Sequence, residues 1–296
     1  MKPVPPPRLS LLRAARAPVA LILRRGPSKW VEAIRWDLAT DRFERGHWFH
    51  GRIYDGRSDL SPDGELLVYF ASKFTGRTVN DTEYTYAWTA VSRPPWLTAL
   101  ALWPKGDCWW GGGLFTGHRT LWLNHRPAEA APHPKHKPKG LTVEPNPEAH
   151  GEDEPIYRRR LERDGWALRQ EWQLQWHGLG RGYETLSPEE RVKSAAPAAV
   201  SGHTNGALQI VISRRLDNLK YREHFRVEGA AAEPELPPGP LEWLDWDSRG
   251  RLLALSGGRV WAAEVAENRV DRFTELLDLR GDKPEERTPP NHATKW

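Results

Sequence analysis

The chain has 296 residues, 39% hydrophobic and 28% charged, with 43 basic against 39 acidic residues and a net charge of +4. These values exclude a membrane-like or wholly disordered chain and leave room for one large or two ordinary domains with a sizeable core. They permit an anionic partner but do not argue for one.

A single cysteine, Cys108, rules out an intrachain disulfide framework and any cysteine-based metal site. It suggests a reducing compartment, the cytoplasm. Tryptophan stands out at 16 copies against 7 Tyr and 7 Phe. So many amphipathic rings furnish either an aromatic core or an aromatic binding surface, and core packing is the expected use.

Residues 1–16 read as an extended or disordered N-terminal segment. Arg13 and Arg16 interrupt the apolar run that follows, so it does not read as a signal sequence. No apolar run approaches the roughly 18 residues of a spanning helix. A first unit is expected over 17–50, where LILRRGPSKWVEAIRWDLATDRF (21–43) gives a strand, a glycine turn and a strand led by Trp30.

LSPDGELLVYF (60–70) follows. Pro62 and Gly64 suit a tight turn, and Leu66 to Phe70 favour extended backbone. The same frame, a polar turn ending in Gly and then a strand-like run, recurs in LWPKGDCWWG (102–111), LERDGWALRQ (161–170), HTNGALQIVI (203–212) and WDSRGRLLAL (246–255). The anchors Gly64, Gly106, Gly165, Gly206 and Gly250 are spaced by 42, 59, 41 and 44 residues. The long interval holds 127–155, rich in Pro, His and charge, which reads as an inserted loop.

SPEERVKSAA (187–196) predicts one short helix, with Ser187 as N-cap and Glu190 at the capping-box position. LALSGGRVWAAEVAENRVDRF (253–273) repeats the pattern of 21–43, with Trp261 in the place of Trp30 and Asp271-Arg272-Phe273 in the place of Asp41-Arg42-Phe43. ELLDL (275–279) reads as one more strand and 281–296 as a C-terminal tail.

A period just above 40 residues, with several short strands per period, describes an all-β fold, a β-propeller of about six blades, five also fitting. The units fall near 17–50, 51–92, 93–126, 156–195, 200–230 and 240–274, in one domain over 17–280. ELLDL is expected to complete the N-terminal unit and close the ring. The turn-plus-strand units resemble the blades of WD-repeat-like and other bacterial propellers that carry the SPDG turn. The resemblance covers architecture alone. Trp36-Asp37 and Trp246-Asp247 occupy different places in their units, as do Gly117-His118 and Gly202-His203. It therefore implies no functional residue, and propellers host many unrelated functions.

The glycines of DCWWGGGLF (107–115) match neither a P-loop nor a dinucleotide fingerprint and read as a close crossing beneath Trp109 and Trp110. Cys108 reads as a buried blade cysteine and not as a nucleophile. No GxSxG occurs. His133 and His136 lie three apart, but Lys135, Lys137 and Lys139 would repel a cation. Of the turn carboxylates, Asp107 and Asp164 are the first to check for a channel site. Trp109-Trp110, Trp243-Trp246 and Trp166, Trp172 and Trp176 are the rings to rank for sugar stacking.

No catalytic residue, cofactor or metal is expected. The basic residues Lys135, His136, Lys137, Lys139, Arg158, Arg159 and Arg160 form the candidate partner- or anion-binding loop. The leading functional reading is a non-enzymatic binding or scaffold module for a protein partner in a bacterial multi-protein system, monomeric by itself and open to a place in a hetero-complex. The alternatives are a hydrolase or lyase acting in the central channel, on carbohydrate, and a nucleic-acid-associated subunit.

Overall fold

Three mostly apolar stretches, Val19–Arg25, Leu67–Ser72 and Leu252–Ser256, are buried almost end to end, as inner strands covered on both faces must be. Each is the second strand of a four-stranded antiparallel sheet. The structure is a computed structural model and describes residues 5–26, 28–178, 182–195, 208–217 and 220–296. Its strands form a β-propeller arrangement of five blades. By contacts the chain divides into two compact units, Met1–Arg163 with Gly281–Trp296, and Asp164–Arg280.

The first unit holds three sheets. In the first, β1 (Arg8–Arg13), β2 (Val19–Arg25), β3 (Trp30–Asp37) and β4 (Arg42–His50) pair in chain order. In the second, β5 (Arg52–Leu60), β6 (Leu67–Ser72), β7 (Ala87–Ser92) and β8 (Ala101–Pro104) do the same, with a four-residue helix α1 (Gly76–Val79) between β6 and β7. The third has β9 (Gly113–Gly117), β10 (Thr120–Leu123) and β11 (Thr142–Pro145), with β11 parallel to β10. The helix α2 (Glu154–Arg163) packs on β5 and β9.

The alternation of β6 explains how these sheets stack. Leu67, Tyr69 and Ala71 join a core with Leu21, Leu23, Val31 and Ala33 of the first sheet. Leu66 and Val68 face the other way, into a core with Phe115, Leu121 and Leu123 of the third. The apolar run of LLVYF is thus one side chain for each neighbour in turn.

The second unit holds a sheet of β12 (Ala167–Gln170), β15 (Glu189–Ser194), β16 (Gln209–Asp217) and β17 (Lys220–Glu228), with the hairpin β13 (Gln173–Trp176) and β14 (Tyr183–Ser187) inserted after β12. Its second sheet has β18 (Leu241–Trp246), β19 (Leu252–Ser256), β20 (Arg259–Ala263) and β23 (Thr274–Asp278), with the short hairpin β21 (Val265–Ala266) and β22 (Arg269–Val270) ahead of β23.

The repeat is real, but its anchors are of two kinds. Gly64 and Gly250 turn the chain between the first and second strands of their sheets, with φ of 72° and 83°. Gly106 follows a fourth strand and Gly165 follows α2; the units expected near 156–195 and 200–230 contribute to one sheet, β12-β15-β16-β17, which leaves five blades. Gly206 lies outside the described residues. The match of 21–43 to 253–273 holds: the two stretches are the second and third strands of their sheets, leading into the fourth.

Four expectations are corrected. The first sheet begins at Arg8 and not near 17: of the extended and disordered alternatives for 1–16, residues 8–13 are extended, as its first strand, with Leu9, Leu11 and Leu12 buried. ELLDL pairs with β20 and completes its own sheet, not the N-terminal one. The segment 127–155 supplies β11 and is not wholly a loop. The helix expected over 187–196 is strand over 189–194, because Glu189 and Arg191, two apart, are both buried and bonded at 3.0 Å. That inward spacing belongs to a strand and not to a helix.

The tail 281–296 belongs to the first unit. Arg287 donates to Glu32 Oε1 at 2.8 Å and to the Gly46 carbonyl at 2.9 Å, and Trp296 Nε1 donates to the Leu100 carbonyl at 3.0 Å. Glu32 is fully buried on β3, and burial above all holds its pKa above the usual carboxylate value, against Arg287 and Arg45.

Candidate functional site at one end of the second sheet

β5 carries Arg57, Ser58 and Asp59 in a row, all fully buried. Its pairing with β6 slips between Tyr54 and Asp59, and such a bulge leaves ladder groups without their usual partners. The helix α2 supplies replacements. Arg160 Nη1 donates to the carbonyls of Asp55, at 2.9 Å, and of Ser58. Arg163 donates to Asp59 Oδ2 at 2.6 Å, and the same oxygen accepts the Phe115 amide at 2.9 Å.

Arg57 is the hub. Its Nε donates to Asp153 at 2.7 Å, Nη2 to Glu152 at 3.0 Å and Nη1 to the Cys108 carbonyl at 2.7 Å. Its guanidinium lies 4.7 Å from the Tyr54 ring centroid and 5.1 Å from that of Phe70. One fork therefore ties β5, the 105–112 turn and the start of α2 together.

The three glycines are a crossing, as expected, but the groups they admit differ. A Cβ on Gly111 would stand 2.5 Å from the Phe70 ring, and one on Gly112 would stand 2.1 Å from the Arg57 carbonyl. Gly112 donates to Thr89 Oγ1 at 2.8 Å, and Thr89 meets His125 Nε2 at 2.8 Å. Burial lowers the His125 pKa to about 4, so its ring is neutral at ordinary pH.

Trp110 does not cover the glycines. Its Nε1 donates to Glu129 at 2.7 Å, and Lys105 Nζ and Arg126 Cζ each lie 4.4 Å from its ring centroid. Lys105 also binds Asp107 at 2.7 Å, which makes Asp107 a structural partner and not a free acid. Cys108 is half-buried against Tyr54, Phe70 and Ala87.

The predicted basic residues belong to two different elements with different tasks. His133 donates its backbone N–H to the Leu102 carbonyl at 2.8 Å, and the Leu102 amide donates to the His136 carbonyl at 3.1 Å. The 133–136 loop thus caps the edge of β8. His133 stacks on Tyr84 at 4.3 Å, Lys135 pairs with Glu83 at 2.9 Å, and His136 Nδ1 bonds the Ala99 carbonyl at 3.1 Å. Lys137 accepts Trp296 Nε1 on its carbonyl at 3.2 Å, and its side chain and that of Lys139 are exposed.

On α2, Arg158 pairs with Glu154 at 2.9 Å, Arg159 lies 4.1 Å over Trp122, and Arg160 is the buried cap described above. Five of the seven, Lys135, His136, Arg158, Arg159 and Arg160, make these internal contacts, while the side chains of Lys137 and Lys139 are exposed.

Sequence reading singled out Trp109 but missed Phe74 and Val79, which share with it the end of the second sheet where β5 and β7 begin and β6 and β8 end. Phe74 (57% exposed), Val79 (54%) and Trp109 (68%) stand out there. Phe74 packs on Tyr86 with tilted rings whose centroids are 4.7 Å apart, and Tyr86 and Cys108 pack on one buried cluster, so the 73–86 loop and the 105–110 turn share a base. Large apolar side chains in two polar loops were the available signal.

In the second unit Trp176 and Tyr183 form an exposed pair at 4.7 Å on the β13–β14 hairpin, whereas Trp166 and Trp246 are buried. Among the described residues no group of three or more His, Cys, Asp or Glu is placed to hold a metal ion, and no helix is long and apolar enough to cross a membrane.

No protein-family model matches this chain, and no curated protein matches it in sequence. The fold defines its class, a five-bladed β-propeller.

Proposed function

We propose that the chain is a non-enzymatic binding module that takes a protein partner on the loop end of its second sheet. The observation that carries this reading is the exposed apolar set Phe74 and Val79 on the 73–86 loop and Trp109 on the 105–110 turn, which Arg57 and Lys105 hold. Exposed aromatics on a rigid base are the usual anchors of an interface. Arg57, Lys105 and Asp107 beside this set are committed to internal pairs, which fits a scaffold better than a reaction centre. The one cysteine fits a reducing compartment, and we place the module in the cytoplasm of a bacterium, in a multi-protein assembly.

The test is capture from an extract of the native host with the wild-type chain and with the Phe74→Ser, Trp109→Ser double variant. A stoichiometric partner held by the wild type and lost by the variant supports the reading. Capture of none, or equal capture by both, overturns it.

The carbohydrate alternative rests on Trp176 and Tyr183, which offer a stacking platform. Soluble glycans that quench tryptophan fluorescence in the wild type and not in Trp176→Ala would favour it.

A further inference from the structure

At the opposite end of the second sheet, where β7 ends, three buried donor atoms fall within residues 92–96. Ser92 Oγ, Arg93 Nε and Trp96 Nε1 each lack a hydrogen-bond partner among the described residues. Ser92 is fully buried, and Trp96 is only 7% exposed. The Trp96 amide donates to the Arg93 carbonyl at 2.8 Å, which closes a turn over Pro94 and Pro95 and brings its first and last residues together. Arg93 forms no ion pair among the described residues.

The turn is held from the first sheet. The His47 amide donates to the Pro95 carbonyl at 3.2 Å, and the Leu97 amide donates to His47 Nδ1 at 3.1 Å. The His47 ring meets that of Trp96 edge-on, with centroids 5.1 Å apart. Gly46 lies so close to Pro95 that a Cβ there would strike its carbonyl oxygen. Packing therefore fixes the indole, and its N–H is left for another use.

Indole and guanidinium nitrogens donate and do not accept. Donors gathered in one turn, one of them cationic, suit a negative group with several lone pairs. Charge selects which. His47 accepts the Leu97 amide on Nδ1 and is neutral at ordinary pH, because burial lowers its pKa against the Arg287 backbone. Arg287, which reaches the Gly46 carbonyl, is paired with Glu32 and Glu285. Arg93 is thus the one cation that the turn offers. A dianionic phosphate would keep an uncompensated charge there, whereas a carboxylate is matched one for one. We propose that Ser92, Arg93 and Trp96 form a carboxylate-binding site, with the guanidinium as ion-pair partner and the indole N–H and the hydroxyl as neutral donors. It lies at the other end of the sheet from Trp109 and does not rest on the protein-partner reading.

Two sources share that chemistry, a small carboxylic acid and the C-terminal carboxylate of a peptide. The Trp96 indole N–H reports on both. In proton–nitrogen NMR of the full chain its resonance is the one missing from Trp96→Phe. Titration with acetate, and separately with a short peptide carrying a free C-terminus, should shift it saturably. Affinity is expected to fall about tenfold or more in Arg93→Gln and to stay unchanged in Arg269→Gln, an exposed arginine of the other unit.

Acetate bound at least as tightly as the peptide identifies a small acid. A peptide bound more tightly than both acetate and its own C-terminal amide identifies a chain terminus. A thermal upshift by the tighter ligand in the wild type and not in Trp96→Phe, which keeps a ring against His47 and lacks the N–H, is the second readout. No shift of the indole resonance by either carboxylate, equal affinity in Arg93→Gln, a peptide amide bound as tightly as the free acid, or inorganic phosphate bound more tightly than acetate would overturn the proposal.

Discussion

Arg57 shows how much one side chain carries. It is buried, with its three nitrogens donating to three acceptors on two segments, Glu152-Asp153 and the Cys108 carbonyl. Arg57→Ala is expected to cost about 2–4 kcal/mol, from the lost bonds and the void beside Tyr54 and Phe70. Arg57→Lys should recover only part, because an ammonium cannot serve three acceptors fixed by a planar fork. Urea denaturation midpoints of the two variants test the difference.

His125 gives a pH dependence with a definite sign. Its pKa falls from 6.5 to about 4 on folding, mainly through burial. The unfolded chain therefore binds the proton more readily. The contribution is fully present above about pH 6.5 and is lost as pH falls toward 4, at most about 3 kcal/mol. His125→Gln should flatten the fall in melting temperature over that window. An unchanged slope would refute the assignment.

At the same scale, the turn glycines were legible, because left-handed backbone favours Gly and Gly64, Gly106, Gly165 and Gly250 all adopt positive φ.

Among the elements, α2 shows the limit of pattern reading most clearly. Its arginines read as a basic surface run, yet Arg160 and Arg163 turn onto β5 to serve carbonyls and a carboxylate exposed by the bulge. A bulge has no signature in the sequence of its partner. Ile156 is fully buried against Leu114 and Trp122 and anchors the helix on the third sheet. Ile156→Ala should cost about 2–4 kcal/mol, and hydrogen exchange should show faster opening of α2 without change in β2.

The apolar second strands were legible because covering both faces demands a continuous run. β15 was not, since its inward residues are charged. Glu189 is held by Arg191 and Arg214, the latter at 3.1 Å, and a hydrophobic pattern does not see such a strand. β11 was hidden for a related reason. Its Thr142 and Glu144 are exposed, and its strand partner among the described residues, β10, is parallel and some twenty residues back in sequence.

Over the whole molecule, the first unit is completed from the far end of the chain. Removal of 281–296 is expected to cost about 2–4 kcal/mol, because buried Glu32 loses the Arg287 donor and keeps only Arg45. Arg287→Ala should reproduce most of that loss. Denaturant unfolding followed by tryptophan fluorescence tests both. Equal stability of the wild type and the truncated chain would show that the tail merely rests on the sheet.

That same contact sets a clock on biosynthesis. The ribosome makes Glu32 early and Arg287 only after all of Asp164–Arg280 has been added. At about 5–20 residues per second the interval is on the order of ten seconds. Throughout it, the first three sheets must hold a buried carboxylate without its Arg287 partner. Nascent chains stalled before residue 281 should therefore be more open to proteases near β3 than the released protein.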